Sequence, residues 1–316
     1  SIQKLEFPFD YREGQKELAA DVYRTIYRKK KLFIQAPTGT GKTMSTIYPS
    51  VRAVGEGLAE KIFYLTAKSI TATVALDAFR ILGRNGYQAK TVLITAKEKM
   101  CVCEEMDCNP QNCPYAEGHF DRVNDAVFEL LQKEEIFTRE VFLEQAHRHR
   151  VCPFELCLDT ASWADNIICD YNYVFDPNVY LRRFFAEGTK EEYLFLVDEA
   201  HNLVERARSM YSAVLIKEDF LAVKKLVKPY SKKVAAELEK CNKILLAYKR
   251  ECEDYQICEN ISNFAFALMR FGAAADTFLQ KSTEFPGKKE FLDLYLKVRH
   301  FLNMYERLDE HYVIYT

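Results

Sequence analysis

Apolar and polar positions alternate in blocks along the first hundred residues. LFIQA (32–36), KIFYLT (61–66) and TVLIT (91–95) are short apolar runs and read as strands. Between them, residues 12–30, 41–54 and 70–82 carry apolar positions at helical spacing. Strand and helix in turn predict a parallel sheet with helices on both faces. The pattern breaks over residues 97–118, a stretch rich in cysteine, acid and turn formers. It turns helical over 119–165, interrupted by CPFEL, and returns to strands at NIICD (166–170) and YLFLVDE (193–199). From Leu203 to about Leu308 the spacing is helical, with Pro229 and Pro286 as breaks, and YVIYT (312–316) reads as a last strand. The pattern therefore predicts an α/β domain with two insertions, one rich in cysteine and one helical.

Composition narrows the class. Of the 316 residues 48% are hydrophobic, as a chain with real cores requires, and no apolar run reaches the ~20 residues of a membrane-spanning helix. The first fifteen residues lack the apolar segment of a secretory signal, which argues against export and so for reduced cysteines. The net charge of -2 says little about partners. Locally, residues 217–250 hold ten Lys/Arg against four acids, a pattern of solvated helix faces that also suits nucleic-acid contact.

Two motifs carry nucleotide chemistry. APTGTGKT (36–43) fits the Walker A pattern with Ala36 in its first slot. Thr38, Gly39, Thr40 and Gly41 form a loop whose amides can face phosphates. Lys42 can reach the β- and γ-phosphates, and the Thr43 hydroxyl can ligate Mg²⁺. An apolar strand before the loop and a helix after it are the context that such a loop requires. The second motif is the DEAH at the end of YLFLVDEAH (193–201). Asp198 is read as the Mg²⁺ carboxylate, Glu199 as the group that orients and deprotonates water, and His201 as a coupling residue. The cofactors implied are ATP and Mg²⁺.

Four of the ten cysteines, Cys101, Cys103, Cys108 and Cys113, lie within thirteen residues, and Cys152 follows beyond a helical stretch. A metal is the leading reading. The six- and four-residue gaps do not repeat as the paired knuckles of zinc sites, while Cys-Pro steps at Cys113 and Cys152 also occur in iron–sulfur loops. By chemistry alone zinc and iron–sulfur both stay open. His119, His147 and His149 are read as exposed helical histidines rather than ligands. Cys157, Cys169, Cys241, Cys252 and Cys258 are read as outside the metal site.

The Walker A loop and DEAH box together resemble a superfamily 2 helicase motor. KEKMC, CNPQNCPYA, VCPFEL and DYNYVFDP, in this order between the third strand and the end of the DEAH region, resemble the XPD/DinG group of iron–sulfur helicases over almost the whole chain. The resemblance implies an α/β fold with a RecA-like parallel sheet, a [4Fe–4S] domain and a helical arch. The implied divisions are motor residues 1–96, cluster domain 97–165, motor 166–204, arch 205–311 and a return to the motor at 312–316. It implies cluster ligands Cys101, Cys108, Cys113 and Cys152, with Cys103 competing for the first position, and adenine recognition by Gln15 with Arg12 nearby. It further implies an ATP-dependent 5′-to-3′ DNA helicase of replication or repair, monomeric, acting on single-stranded DNA at forks or flaps, with no membrane partner. Its place would be the cytoplasm, or the nucleus in a eukaryote. Tyr171 or Tyr173, within an aromatic and arginine-rich stretch, is expected near the strand's path. No arginine-bearing second-motor motif follows Asp198, so the chain is expected to be the N-terminal part of such a helicase and inactive by itself. A different class, an ATP-binding single-strand-binding or nuclease-associated module without motor activity, is the alternative.

Overall fold

The computed structural model describes residues 4–37, 39–186, 188, 191–281 and 284–316. The chain divides into two compact units, residues 1–204 and 205–316.

In the first unit, α1 (Gln15–Tyr27), α2 (Lys42–Gly55), β1 (Lys61–Leu65), α3 (Ser69–Arg84) and β2 (Thr91–Leu93) follow in the expected alternation. The cysteine-rich segment begins with the single turn α4 (Lys97–Met100). It continues through α5 (His119–Lys133), β3 (Ile136–Phe137), α6 (Arg139–His149) and α7 (Pro153–Ala161). Then come β4 (Asn166–Cys169), the turns α8 (Asn172–Phe175) and α9 (Arg182–Phe185), and β5 (Tyr193–Val197). The sheet order is β3-β2-β4-β1-β5 with every pairing parallel. β1 and β4 are central and buried almost throughout, which is why KIFYL and NIIC are continuous apolar runs rather than alternating ones. Asn166, buried in β4, is satisfied by Thr91 Oγ1 at 3.0 Å and the Tyr87 hydroxyl at 3.1 Å.

Three local expectations change. LFIQA forms no strand: Leu32, Phe33 and Ile34 are exposed, Phe33 at 89%. A strand exists only where a neighbour accepts its ladder, and among the described residues the outer edge of β5 has no partner. The interruption expected at CPFEL falls at residues 150–152, after α6, and the run itself then starts a helix, with Cys152 as N-cap and Pro153 in the first turn of α7. Residues 312–316 do not join the parallel sheet. Tyr315 bridges Ile257 antiparallel, and Gln256 and Thr316 exchange backbone hydrogen bonds of 2.8 and 2.9 Å.

The second unit is helical. α10 (Leu203–Met210) crosses its boundary, and α11 (Lys217–Val227), α12 (Lys232–Glu251), α13 (Ser262–Lys281) and α14 (Lys288–Tyr305) make up its body. α11 packs on α12, α12 on α13, α13 on α14 and α14 back on α11. Phe220, Val227, Leu238, Leu268, Phe271, Phe291 and Val298 fill the centre. Pro229 and Pro286 fall between helices, as the pattern predicts. No helix among the described residues is long and apolar enough to cross a membrane.

Candidate functional site

The Walker loop is built on glycine. Gly39 and Gly41 have φ of 82° and 78°, left-handed conformations that side chains rarely adopt. At Gly41 a Cβ would stand 2.1 Å from Gln15 Nε2. Gln15 explains the crowding: its amide donates to the Thr40 carbonyl at 2.9 Å, and its Oε1 accepts from the Arg12 backbone N–H at 2.8 Å. The Arg12 guanidinium donates to the Gly39 carbonyl. Arg12 and Gln15 therefore hold the loop's backbone, a role that the sequence pattern did not indicate. Lys42 opens α2 and donates to the Ala36 carbonyl at 2.9 Å, across the loop. Thr38 lies outside the described residues.

The DEAH turn reaches the same place from β5. β5 runs parallel to β1 with Val197 opposite Leu65, and the Asp198 N–H continues the ladder to the Leu65 carbonyl at 2.9 Å. This register sets Asp198 on the same sheet face as Tyr64 of β1, whose phenol lies within electrostatic reach of Asp198 and Thr43. Burial, and then the charge of Asp198, push the Tyr64 phenol up. Burial, and then the neighbouring Glu199 carboxylate, also hold the Asp198 carboxyl above its ordinary value. A site with two crowded carboxylates is one that a divalent cation would relieve.

Glu199 has φ 49° and ψ 45°, a left-handed conformation that is costly for a residue with a Cβ. Tyr171, fully buried, braces the turn: its hydroxyl donates to the backbone carbonyl of Asp198 and lies 3.2 Å from that of Glu199. Of the two tyrosines expected near the strand's path, Tyr171 is enclosed against the DEAH turn and offers no face to a base, while Tyr173 is half-buried. His201 is largely exposed, its Nδ1 3.5 Å from Glu199 Oε2. Arg12, Gln15, Gly39, Gly41, Lys42, Thr43, Asp198 and Glu199 line one cavity of about 560 Å³, the size of a nucleotide-class pocket.

The cysteine segment assembles differently. Cys103 Sγ lies 3.9 Å from Cys113 Sγ, with Cys101 close by. Burial, and then these neighbours, push the Cys103 thiol up to about 11. Cys108 and Cys152 meet instead at Lys97. Burial opposes the charge of that ammonium, but the Cys108 hydrogen bond and nearby Glu155 and Cys152 overcome this and hold its pKa above the ordinary lysine value. Among the described residues no three Cys, His, Asp or Glu side chains converge on a single point suited to one metal ion. His119, expected to be exposed, is 4% exposed because its ring turns inward, where Nδ1 accepts the Cys152 backbone N–H at 3.1 Å. His147 is exposed and bonded to Tyr115, and His149 is paired with Glu129 at 2.6 Å.

The residues missed at the sequence level were Tyr64 and the bracing role of Tyr171. Tyr64 lies in a strand run, and Tyr171 lies in DYNYVFDP, which does not mark its hydroxyl as a brace. Tyr64 lies in β1 and Tyr171 just after β4, and the parallel pairing of β4, β1 and β5 brings both side chains to the DEAH turn.

Fold and site together define a P-loop α/β domain followed in the chain by a helical unit. The family model DEAD_2 matches residues 83–220. Curated relatives include the regulator of telomere elongation helicase 1 homologues of Caenorhabditis briggsae, 25% identical over 260 residues, and Caenorhabditis elegans, 26% over 256. These alignments cover 68% and 67% of this chain but 26% and 25% of the relatives. The XPD helicase subunit of the general transcription and DNA repair factor IIH of Arabidopsis thaliana is 23% identical over 62% of this chain and 30% of that protein. The chain thus spans about a fifth to a third of the length of the curated relatives it matches. Among solved structures, a truncated XPD superposes with TM-score 0.58 at 17% identity, covering 92% of this chain and 82% of that one. An XPD helicase gives TM-score 0.56 at 18% identity, covering 93% and 50%. The likenesses agree on one class, the XPD-type superfamily 2 helicase with its RecA-like core.

Proposed function

We propose that this chain is the nucleotide-binding motor domain and helical unit of an ATP-dependent DNA helicase that works 5′ to 3′ on single-stranded DNA in replication or repair. The observation that carries the reading is the convergence of Lys42, Thr43, Asp198 and Glu199 on one cavity. Lys42 and the loop amides hold the phosphates. Thr43 and Asp198 hold Mg²⁺, which when bound supplies charge neutralisation at the phosphates. Glu199 orients the attacking water and takes its proton, and His201, beside Glu199, couples the site to the DNA-gripping elements. Gln15 and Arg12 keep the loop in its nucleotide-ready shape and stand next to the adenine.

For the cysteine segment we propose a [4Fe–4S] cluster on Cys108, Cys113, Cys152 and either Cys101 or Cys103. The donor set suits it: thiols alone, none fully buried, with the Lys97 cation near Cys108 and Cys152. Such a cluster supplies a covalent tie between the 101–113 loop and the start of α7. The helical unit is proposed as the arch, and the substrate as a forked or flapped duplex engaged by a monomer in the cytoplasm, or in the nucleus of a eukaryote.

The test is nucleotide binding followed by fluorescence of a labelled ATP analogue. Lys42→Ala is expected to lose binding, while Glu199→Gln keeps it and, in the complete helicase, stops hydrolysis. Wild-type turnover by Glu199→Gln would remove the water-activating role from Glu199.

A further inference from the structure

The cations of the helical unit fall into two populations. Along the helices many are neutralised in place. Lys224 pairs with Glu239 at 2.6 Å, Lys240 and Arg270 with Glu237 at 2.8 and 3.3 Å, and Lys297 with Asp293 and Asp219 at 2.8 and 3.3 Å. At one end of the unit the pattern stops. The α11–α12 turn and the α13–α14 turn lie side by side there. The Tyr230 and Phe285 rings are 5.7 Å apart, and a Cβ on Gly287 would lie 3.0 Å from Leu226. The stretch KLVKPYSKK (225–233) holds four lysines and no acid, and all four are exposed. Lys288 and Lys289 adjoin it from the other turn, Lys288 paired with Glu284 at 2.6 Å. Lys225, Lys228, Lys232, Lys233 and Lys289 have no ion pair among the described residues.

This placement costs stability. Lys232 and Lys233 sit in the first turn of α12, which carries no acid, so their charges face the positive end of the helix dipole. Folding gains nothing from such an arrangement, whereas an anion laid across the turn would relieve both the dipole and the lysines. The lysines are exposed on neighbouring turns, a set of point charges that can lie against a polyanion. Its one exposed aromatic, Tyr230 at 48%, is partly committed to Phe285 and offers no stacking platform for unpaired bases. A duplex presents one phosphate charge per ~1.7 Å of axis, the denser target for a flat set of point charges.

We propose that this end of the helical unit docks the phosphate backbone of duplex DNA, without reading sequence, separately from any grip on the single strand. The inference rests on the DNA-binding reading above. The experiment uses the whole 316-residue chain and fluorescence anisotropy with a blunt duplex of ~20 bp and an oligothymidine of ~20 nucleotides, between ~50 and ~200 mM salt. For Lys225→Gln/Lys228→Gln/Lys232→Gln/Lys233→Gln, duplex affinity is expected to fall at least tenfold. The slope of log K against log salt should become shallower by about 2 to 4, at ~0.9 per lost phosphate contact. Oligothymidine binding should stay within about twofold, because the variant removes charge from a surface that offers unpaired bases no stacking partner. The four Lys→Arg replacements should keep duplex binding, which separates loss of charge from loss of fold. Unchanged duplex binding in the Gln variant, or equal loss on both probes, overturns the proposal. A wild-type chain that binds oligothymidine but not duplex overturns it while leaving the helicase reading in place; one that binds neither removes both.

Discussion

Tyr171→Phe is the most informative single change at the nucleotide site. The Tyr171 ring is fully buried, and its hydroxyl donates to the Asp198 carbonyl and lies 3.2 Å from that of Glu199. Phenylalanine keeps the ring's packing and removes only the donor. A buried carbonyl left without its partner costs about 1–3 kcal/mol. The left-handed Glu199 backbone, disfavoured by about 1–2 kcal/mol for a residue with a Cβ, then loses a contact that holds it. The two effects draw on the same distortion, so they do not simply add, and a net loss of about 1–2 kcal/mol is expected. For a folding unit of this size that lowers the melting temperature by roughly 2–8 °C. Because the carboxylates of Asp198 and Glu199 are carried by that turn, Mg²⁺-dependent binding of an ATP analogue should weaken while Mg²⁺-independent binding through Lys42 and the loop amides changes less. The assays are thermal unfolding and hydrogen exchange at the amides of residues 198–202, which should speed up in the variant. An unchanged melting temperature with unchanged exchange would refute the claim that this hydroxyl holds the DEAH turn.

Gly41→Ala should weaken nucleotide binding at least tenfold with little change in the helical unit. Its Cβ would collide with Gln15 Nε2 at a φ of 78°; normal binding by titration would show that the Gln15 brace is dispensable. Glu129 accepts from Lys133, His149, Gln145 and Arg148, which hold its carboxyl well below the ordinary 4.5. A depressed carboxylate contributes stability above its unfolded value that is lost as pH falls through the folded one. Glu129→Gln should therefore be less stable than wild type near neutrality, and the gap should close progressively below pH ~4.3 in a melting series; a gap independent of pH would contradict the linkage. Cys152→Ser should abolish the brown colour and the broad absorption near ~400 nm of anaerobically purified protein, whereas Cys157→Ser should keep both. Colourless wild-type protein with one zinc per chain would overturn the cluster.

Local chemistry made much of this molecule legible in its sequence. The Walker loop, the DEAH box, the buried runs KIFYL and NIIC and the helix breaks at Pro229 and Pro286 announce themselves, because glycine conformations, continuous apolar strands and proline sterics act within a few residues. What the tertiary structure decided are the matters that need a partner distant in the chain. LFIQA is as apolar as KIFYL, yet only the second has neighbours for its ladder, so one is a strand and the other exposed chain. Gln15 and Arg12 turn to the loop backbone rather than standing free, because α1 begins beneath the Walker loop. Tyr171, one aromatic among six in its stretch, is withdrawn from the surface by the DEAH turn. Tyr64 comes to stand by Asp198 through a strand pairing that spans more than a hundred residues of sequence. Sequence patterning reports what a residue prefers; register and burial determine which other residue it meets, and at this site the meeting of two strand ends makes the chemistry.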